Sequence, residues 1–297
     1  MSNERPVDRR SYLAALGSGT ALALAGCLGD PAEEGGENGS GDGNNTDAGN
    51  ETESGDETEA GNESDGGSEE QKRIVPGTAP GFKPFEFKEG GELTGFDIEL
   101  MEAIVAETEY ELADWKEFEF GSLIPAVTNG EIDVIAAAMT ITEDREETIA
   151  FSDPYYEADQ SVLVREGGDF SPESLDDLSG QRVGAQSDTT GEGVVESELI
   201  EPGKLDRSNY NSYSNYVLAV QDLENGNIDA IVVDKPVAQT FADQRSVEIA
   251  FTYETGEEYG LGLRQDDDAR MQAINEGLAA VRENGTYEEL RNEWFSE

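Results

Sequence analysis

One structural unit occurs twice in this chain and restricts the folds open to it. A helical stretch near Ser122–Thr128 stops at Asn129-Gly130, and Glu131-Ile132-Asp133 leads into the apolar run Ile132–Ala138. Downstream, Val217–Glu224 reads as a helix, Asn225-Gly226 ends it, and Ile228-Asp229 opens the apolar run Ile228–Val233. Asn-Gly ends helices because glycine takes the left-handed conformation past the last turn at no steric cost. Short apolar runs rich in β-branched residues are the pattern of strands buried on both faces. The repeat predicts an α/β fold. Two arrangements satisfy it: two similar lobes that each aim a strand end at a shared cleft, or a single α/β chain reusing a common unit.

The two strand ends carry different chemistry. The first leads to Thr140, Thr142 and then Arg145, the last set among Glu143, Asp144, Glu146 and Glu147. Arginine offers a planar fork of donors that a carboxylate accepts bidentately. The second ends at Asp234. Open α/β sheets bind ligands outside the carboxyl ends of their strands. Facing each other, Arg145 and Asp234 would hold a zwitterion, Arg145 by its carboxylate and Asp234 by its ammonium. The plain alternatives are that Arg145 pairs with its acidic neighbours on a solvated helix, and that Asp234 caps a helix beginning at Lys235-Pro236.

Composition narrows the chemistry further. The 297 residues hold 67 acids against 19 bases, for a net charge of −48, with no His and one Cys. Without His the chain lacks the usual general base near neutral pH and the commonest metal ligand, so neither a metal nor a cofactor is expected. The single Cys excludes an internal disulfide and a zinc cluster. The charge argues against nucleic acid as a partner. From Lys72 onward the acids are spread rather than blocked, and such a uniformly acidic, Lys-poor surface resembles that of proteins from high-salt archaea.

Residues 1–27 read as an export leader rather than as fold. Arg9-Arg10-Ser11-Tyr12-Leu13 resembles a twin-arginine signal, and Ser11–Gly26 is too short for a confident membrane span. Leu24-Ala25-Gly26-Cys27 resembles a lipobox, which makes Cys27 a lipid anchor. Residues 28–71 carry almost no apolar side chains, and 30–71 hold fifteen acids and no base. Such a chain cannot offset its ordering entropy and is expected to be a disordered stalk spanning about 36 Å. Order is expected from Lys72: a strand at Arg73-Ile74-Val75, then a helix capped by Asp97 with apolar positions Ile98, Met101, Ile104 and Val105. A strand is expected near Tyr110–Asp114, and another at Ser161–Arg165.

From about Lys72 to the end the chain resembles the family-3 solute-binding proteins, the polar amino-acid-binding proteins of ATP-driven importers. The matching phrases include Phe82-Lys83-Pro84-Phe85-Glu86-Phe87, Gly95-Phe96-Asp97-Ile98-Glu99-Leu100, Gly121-Ser122-Leu123-Ile124-Pro125-Ala126, Met139–Arg145, Phe151-Ser152-Asp153-Pro154-Tyr155-Tyr156 and Glu283-Asn284-Gly285-Thr286-Tyr287. The resemblance implies an α/β two-lobe fold of the periplasmic-binding-protein type with two crossing hinge strands. Lobe I would comprise 72–154 and 260–297, lobe II 160–254, and the hinges 155–159 and 255–259. It also implies that Phe82 and Phe120 sandwich the ligand and that Ala138 offers a carbonyl to the ammonium. Thr140, Arg145 and Thr190 would hold the carboxylate, Asp234 would pair with the ammonium, and Gln186 would meet a polar side chain.

Departures from the pattern bear on the ligand. Members that bind basic side chains carry an acid where Ala79 stands, so Lys or Arg is not the expected ligand. The glutamine binders use an acid there, a Lys at the place of Gln186 and a His at the place of Val233, and all three are absent. An uncharged polar side chain is favoured, glutamine included. Asp188 stands where the family often has Gly, and Asp tolerates left-handed backbone better than most residues. The expectation is a monomeric binding protein held at the outer face of the cytoplasmic membrane, with an ABC permease as its partner. An enzyme on the same fold, of the cyclohexadienyl-dehydratase type, is the alternative. A receptor's sensor domain would need spanning helices, which the sequence after residue 26 does not offer.

Overall fold

The computed structural model describes residues 73–295. The expected leader, the Cys27 anchor and the stalk lie outside the described residues. The chain begins with β1 (Arg73–Ile74), β2 (Pro76–Thr78), β3 (Phe87–Glu89), β4 (Glu92–Thr94), α1 (Phe96–Ala106), β5 (Glu111–Leu112), β6 (Lys116–Glu117), α2 (Leu123–Thr128), β7 (Val134–Ile135), α3 (Glu143–Glu146) and β8 (Ala150–Phe151). It crosses to a second sheet through β9 (Tyr156–Arg165), followed by β10 (Val183–Gln186), α4 (Thr190–Val195), β11 (Tyr210–Tyr213), α5 (Tyr216–Glu224), β12 (Ala230–Asp234) and α6 (Lys235–Gln244). The long β13 (Val247–Tyr259) returns to the first half, which closes with β14 (Gly262–Leu263), α7 (Asp268–Glu283) and α8 (Thr286–Phe295).

Each half is built on a five-stranded sheet, in the orders β6-β2-β7-β14-β8 and β11-β10-β12-β9-β13. The two orders follow one plan. In each, three parallel strands are followed by an antiparallel fourth: β14 against β7, and β9 against β12. The duplicated unit supplies the third strand of both. Asn129 and Asn225 cap the preceding helices, and Gly130 and Gly226 follow at φ +74° and +73°. The aspartates of the two Ile-Asp pairs then do the same work. Asp133 accepts the Val75 N–H at 2.9 Å and donates its own N–H to the Val75 carbonyl at 2.8 Å. Asp229 repeats this with Arg182, at 2.9 and 2.7 Å. A side chain that accepts a neighbouring strand's N–H starts the ladder one residue early and satisfies a donor that burial would otherwise strand.

The crossing segments pair with each other. Tyr259 lies opposite Tyr156, Glu258 opposite Glu157, and Glu257 opposite Ala158. The register then slips between Glu257 and Tyr253, where Asp159 Oδ1 accepts the N–H groups of both Thr255 and Gly256, at 3.0 and 3.1 Å. Gly256 stands at φ +63°, and the resulting bulge re-aims the side chains that follow it. Behind the crossing, Phe85 meets the rings of Phe96, Tyr156, Tyr259 and Phe295 at centroid distances of 5.0 to 6.2 Å. Aromatic pairs of this kind add about 0.5–1.5 kcal/mol each beyond their buried area.

Two local expectations are corrected. Asp97 does not cap α1: Gly95, at φ +130°, is the cap, and the Asp97 side chain turns into the core. Every apolar residue of the run Ile132–Ala138 is buried, yet only Val134–Ile135 forms strand. Ala138 takes φ +44°, which bends the chain out of the ladder.

Candidate ligand-binding cleft

A small cavity lies between the two sheets. All eight side chains expected at the site, Phe82, Phe120, Ala138, Thr140, Arg145, Gln186, Thr190 and Asp234, line it, joined by Ala79, Glu86 and Thr189.

On the first half the backbone is bent to serve the cavity. Ala138 is one of two described non-glycine residues at positive φ, a conformation that costs an L-residue roughly 1–2 kcal/mol. The buried Asp97 carboxylate holds it there, accepting the Ala138 N–H and the Tyr155 hydroxyl, both at 2.6 Å. Burial pushes the Asp97 carboxyl up to about 6, and these two bonds oppose the rise. Arg145 sits on the one-turn helix α3, whose cap is the Thr142 hydroxyl accepting the Arg145 N–H at 3.3 Å. The guanidinium donates to the Thr140 carbonyl at 2.8 Å and lies 5.3 Å from the centre of the Phe120 ring. Such a cation–π contact keeps the charged plane in a fixed attitude. Burial alone would ease the Arg145 proton off, and Asp234, Glu257 and Asp188 counter that tendency. Arg145 is thus turned into the cleft and not outward to its acidic neighbours in sequence.

On the second half, Gln186 ends β10 and Thr189 caps α4, accepting the Glu192 N–H at 3.3 Å. Between them Asp188 adopts φ +63°, with its N–H on Glu192 Oε2 at 2.7 Å. Asp234 stands at the end of β12. Its side chain makes no capping bond to α6 and instead accepts the Tyr259 hydroxyl at 2.6 Å. Burial first, and the nearby Glu257 second, raise its carboxyl to about 7, while the Tyr259 bond and Arg145 pull the other way.

Glu86 was not anticipated. It is 1% exposed, its Oε2 has no hydrogen-bond partner, and burial, followed by the charges of Asp97 and Asp234, drives its carboxyl well above the usual range. Its sequence signal was an acid held between two buried aromatics. Glu86 supplies an acid to a cavity in which Ala79 lacks one. Lys83, by contrast, lies 4.7 Å from the Phe87 ring and does not line the cavity.

The halves meet across the cleft. Arg145 donates to the Asp188 carbonyl at 2.8 Å, and the Phe82 ring lies 5.7 Å from that of Tyr216 on α5. A Cβ placed on Gly121 would come within 2.2 Å of Asp188 Oδ2, so a larger residue there would push the Asp188 carboxylate aside. The hydroxyls of Thr140 and Thr190 both donate to Glu257 Oε2, at 3.0 and 2.8 Å. Glu257 carried no signal in the sequence, because its aim depends on the bulge before it.

The arrangement offers a cation, two buried acids, a bent-out backbone and two aromatic rings to one small enclosed space. Residues 74–297 match the bacterial extracellular solute-binding proteins, family 3. A probable histidine-binding protein of Neisseria gonorrhoeae is 33% identical over 221 residues, covering 72% of this chain and 80% of that one. The ABC transporter glutamine-binding protein GlnH of Bacillus subtilis is 30% identical over 235 residues, covering 77% and 83%. Among solved structures, an ancestral arginine-binding protein bound to arginine is 35% identical with a TM-score of 0.71, covering 76% of this chain and 99% of that one.

Proposed function

Because this chain belongs to the family-3 extracellular solute-binding proteins, the amino-acid-binding components of ABC transport, we propose that it captures an amino acid whose side chain ends in N–H donors and passes it to a membrane permease. One observation carries this reading: Arg145 and Asp234, of opposite charge and from opposite sheets, line the same cavity. Arg145 takes the α-carboxylate. The Ala138 carbonyl and Asp234 take the α-ammonium, and Phe82 and Phe120 flank the ligand. The crossing segments 155–159 and 255–259 act as hinges. A ligand gripped from both sides favours the closed form, because only a difference in affinity between two states shifts their populations.

An uncharged amide such as glutamine fits Gln186 and Glu86. The free Glu86 oxygen supports a second reading, a cationic side chain such as that of arginine or histidine. A buried acid held protonated for want of a partner ionises when a cation arrives. With Lys83 directed away, the cavity offers a second carboxylate no cation, so acidic side chains are disfavoured. Calorimetry of the mature protein in high salt against the twenty amino acids tests the whole reading, which fails if none binds. E86Q separates its two forms. Affinity falls at least tenfold if the side chain is cationic and stays within threefold if it is an amide. Turnover assays are expected to return the ligand unchanged, and product formation would favour the enzyme.

Attachment at the outer membrane face through Cys27 completes the proposal, supported by the lipobox-like Leu24-Ala25-Gly26-Cys27. C27S should release the protein to the medium or leave the leader uncut. Membrane fractionation like that of the wild type would put the anchor elsewhere.

A further inference from the structure

Glu257 lies on the returning hinge strand and touches both sides of the cleft. Its Oε2 accepts the hydroxyl of Thr140, from the first half, and that of Thr190, from the second. Gln160, fully buried on β9 just past the other crossing segment, donates Nε2 to both Glu257 oxygens at 3.2 Å and to Thr190 Oγ1 at 3.2 Å. A hydroxyl has one proton to donate. Those of Thr140 and Thr190 are therefore spent on Glu257 and are not offered to a ligand's carboxylate. Thr140 keeps its main-chain N–H, since the bridge it forms with Tyr259 is bonded through Ile141 to Glu258 and Gly260 to Met139.

We propose that Glu257 is a positioning residue, a clasp on the hinge that ties Thr140 to Thr190 and so stabilises the closed form beneath the ligand. It rests on the reading that the cleft takes an amino acid, whose carboxylate is then left to Arg145 and the Thr140 N–H. The clasp is made once the two hydroxyls come within reach of a single oxygen, which requires closure. Its geometry is set locally. Asp159 gathers the Thr255 and Gly256 N–H groups into the bulge that points Glu257 at the cleft. The clasp depends on acceptor geometry rather than charge. In E257Q the amide oxygen still accepts both hydroxyls, and a flipped Gln160 amide can receive the new N–H through its Oε1, which has no partner in the native arrangement.

The test measures closure and affinity separately. Single-molecule FRET between labels on the two halves reads closed excursions without ligand. E257A and T190V should each lower their frequency at least threefold, and E257Q should match the wild type. Titration with arginine, histidine and glutamine should show E257A at least tenfold weaker than wild type for whichever binds, and E257Q within threefold. Unchanged excursions in both E257A and T190V overturn the clasp, as does tighter binding by E257A, which would make Glu257 a competitor of the ligand's carboxylate. If wild type binds none of the three, the titration extends to the other amino acids and the amino-acid reading fails if none of the twenty binds, while the ligand-free excursions still decide the clasp. Thermal unfolding of each variant confirms that it is folded.

Discussion

The two copies of the helix–Asn-Gly–Ile-Asp–strand unit agree at their beginnings and diverge at their ends. Both stop a helix with the same backbone turn, and both use an aspartate to seize the N–H of a parallel neighbour. Beyond the strand the likeness stops. In the first copy the ladder breaks early, Ala138 turns left-handed under the pull of Asp97, and the chain runs on to Arg145. In the second the strand stays regular to its last residue, and Asp234 sits buried against Tyr259. The beginnings face each half's own sheet, where the same task recurs. The ends face the cleft, where the proposed zwitterion would need opposite groups on opposite sides.

The comparison predicts a graded series of effects. Arg145→Ala should cost most. Breaking a buried charge pair by removing one partner costs roughly 3–5 kcal/mol, or about two to four decades of affinity. Titration of the folded variant checks this. Affinity within threefold of wild type would leave the first strand end without its assigned role.

Asp234→Asn should cost less, about one to two decades, because the Ala138 carbonyl still meets the ammonium and the amide still accepts from Tyr259. It should also remove a pH signature. With the Asp234 carboxyl raised to about 7, the empty protein holds a proton that an arriving ammonium expels. Wild-type affinity should therefore rise with pH until about 7 and then level, with proton release measurable by calorimetry in buffers of different ionisation heat. A pH dependence that survives in Asp234→Asn would assign the proton to Glu86. Stability of the empty protein has the opposite slope. A carboxyl raised on folding favours the native state below its unfolded pKa and loses that contribution as pH climbs through about 7. Denaturant midpoints across pH 4–8 should fall toward the alkaline end, by less in Asp234→Asn.

At the beginnings of the units the effects should be equal between copies. Asp133→Ala and Asp229→Ala each strand a main-chain donor and uncouple an arginine, Arg264 for Asp133 and Arg182 for Asp229. Each should destabilise by about 1–3 kcal/mol with ligand affinity within threefold of wild type. A tenfold affinity loss in either would tie that beginning to the cleft and weaken the division between scaffold and tip.

The smallest effect sharpens how each side of the cleft is shared. Phe82 belongs to the first half, yet its ring meets Tyr216 of the second. Phe82→Ala should weaken binding about tenfold and also leave the saturated complex less compact by small-angle scattering, though less so than Asp234→Ala. Compaction equal to wild type would confine Phe82 to contact with ligand.

Much of this architecture is local information. Asn-Gly pairs, β-branched runs and alternating apolar positions act over a few residues, so the α/β class, the duplicated unit and helices α1, α2 and α5 could be read directly from the chain. The place of Arg145 and Asp234 in the cavity was also legible, since each follows the carboxyl end of a buried run. Tertiary structure decided what depends on partners far away in sequence. Asp97 resembles a helix cap until Ala138 and Tyr155, 41 and 58 residues on, claim its carboxylate. Glu86 resembles a surface acid until neighbouring segments bury it without a partner. Glu257 lies in a charged, unremarkable stretch until a bulge held by Asp159 swings it between two threonines, 117 and 67 residues away. Short-range pattern records what a residue prefers next to its neighbours; which carboxylate loses water, and which donor it meets, is settled only when distant segments pack.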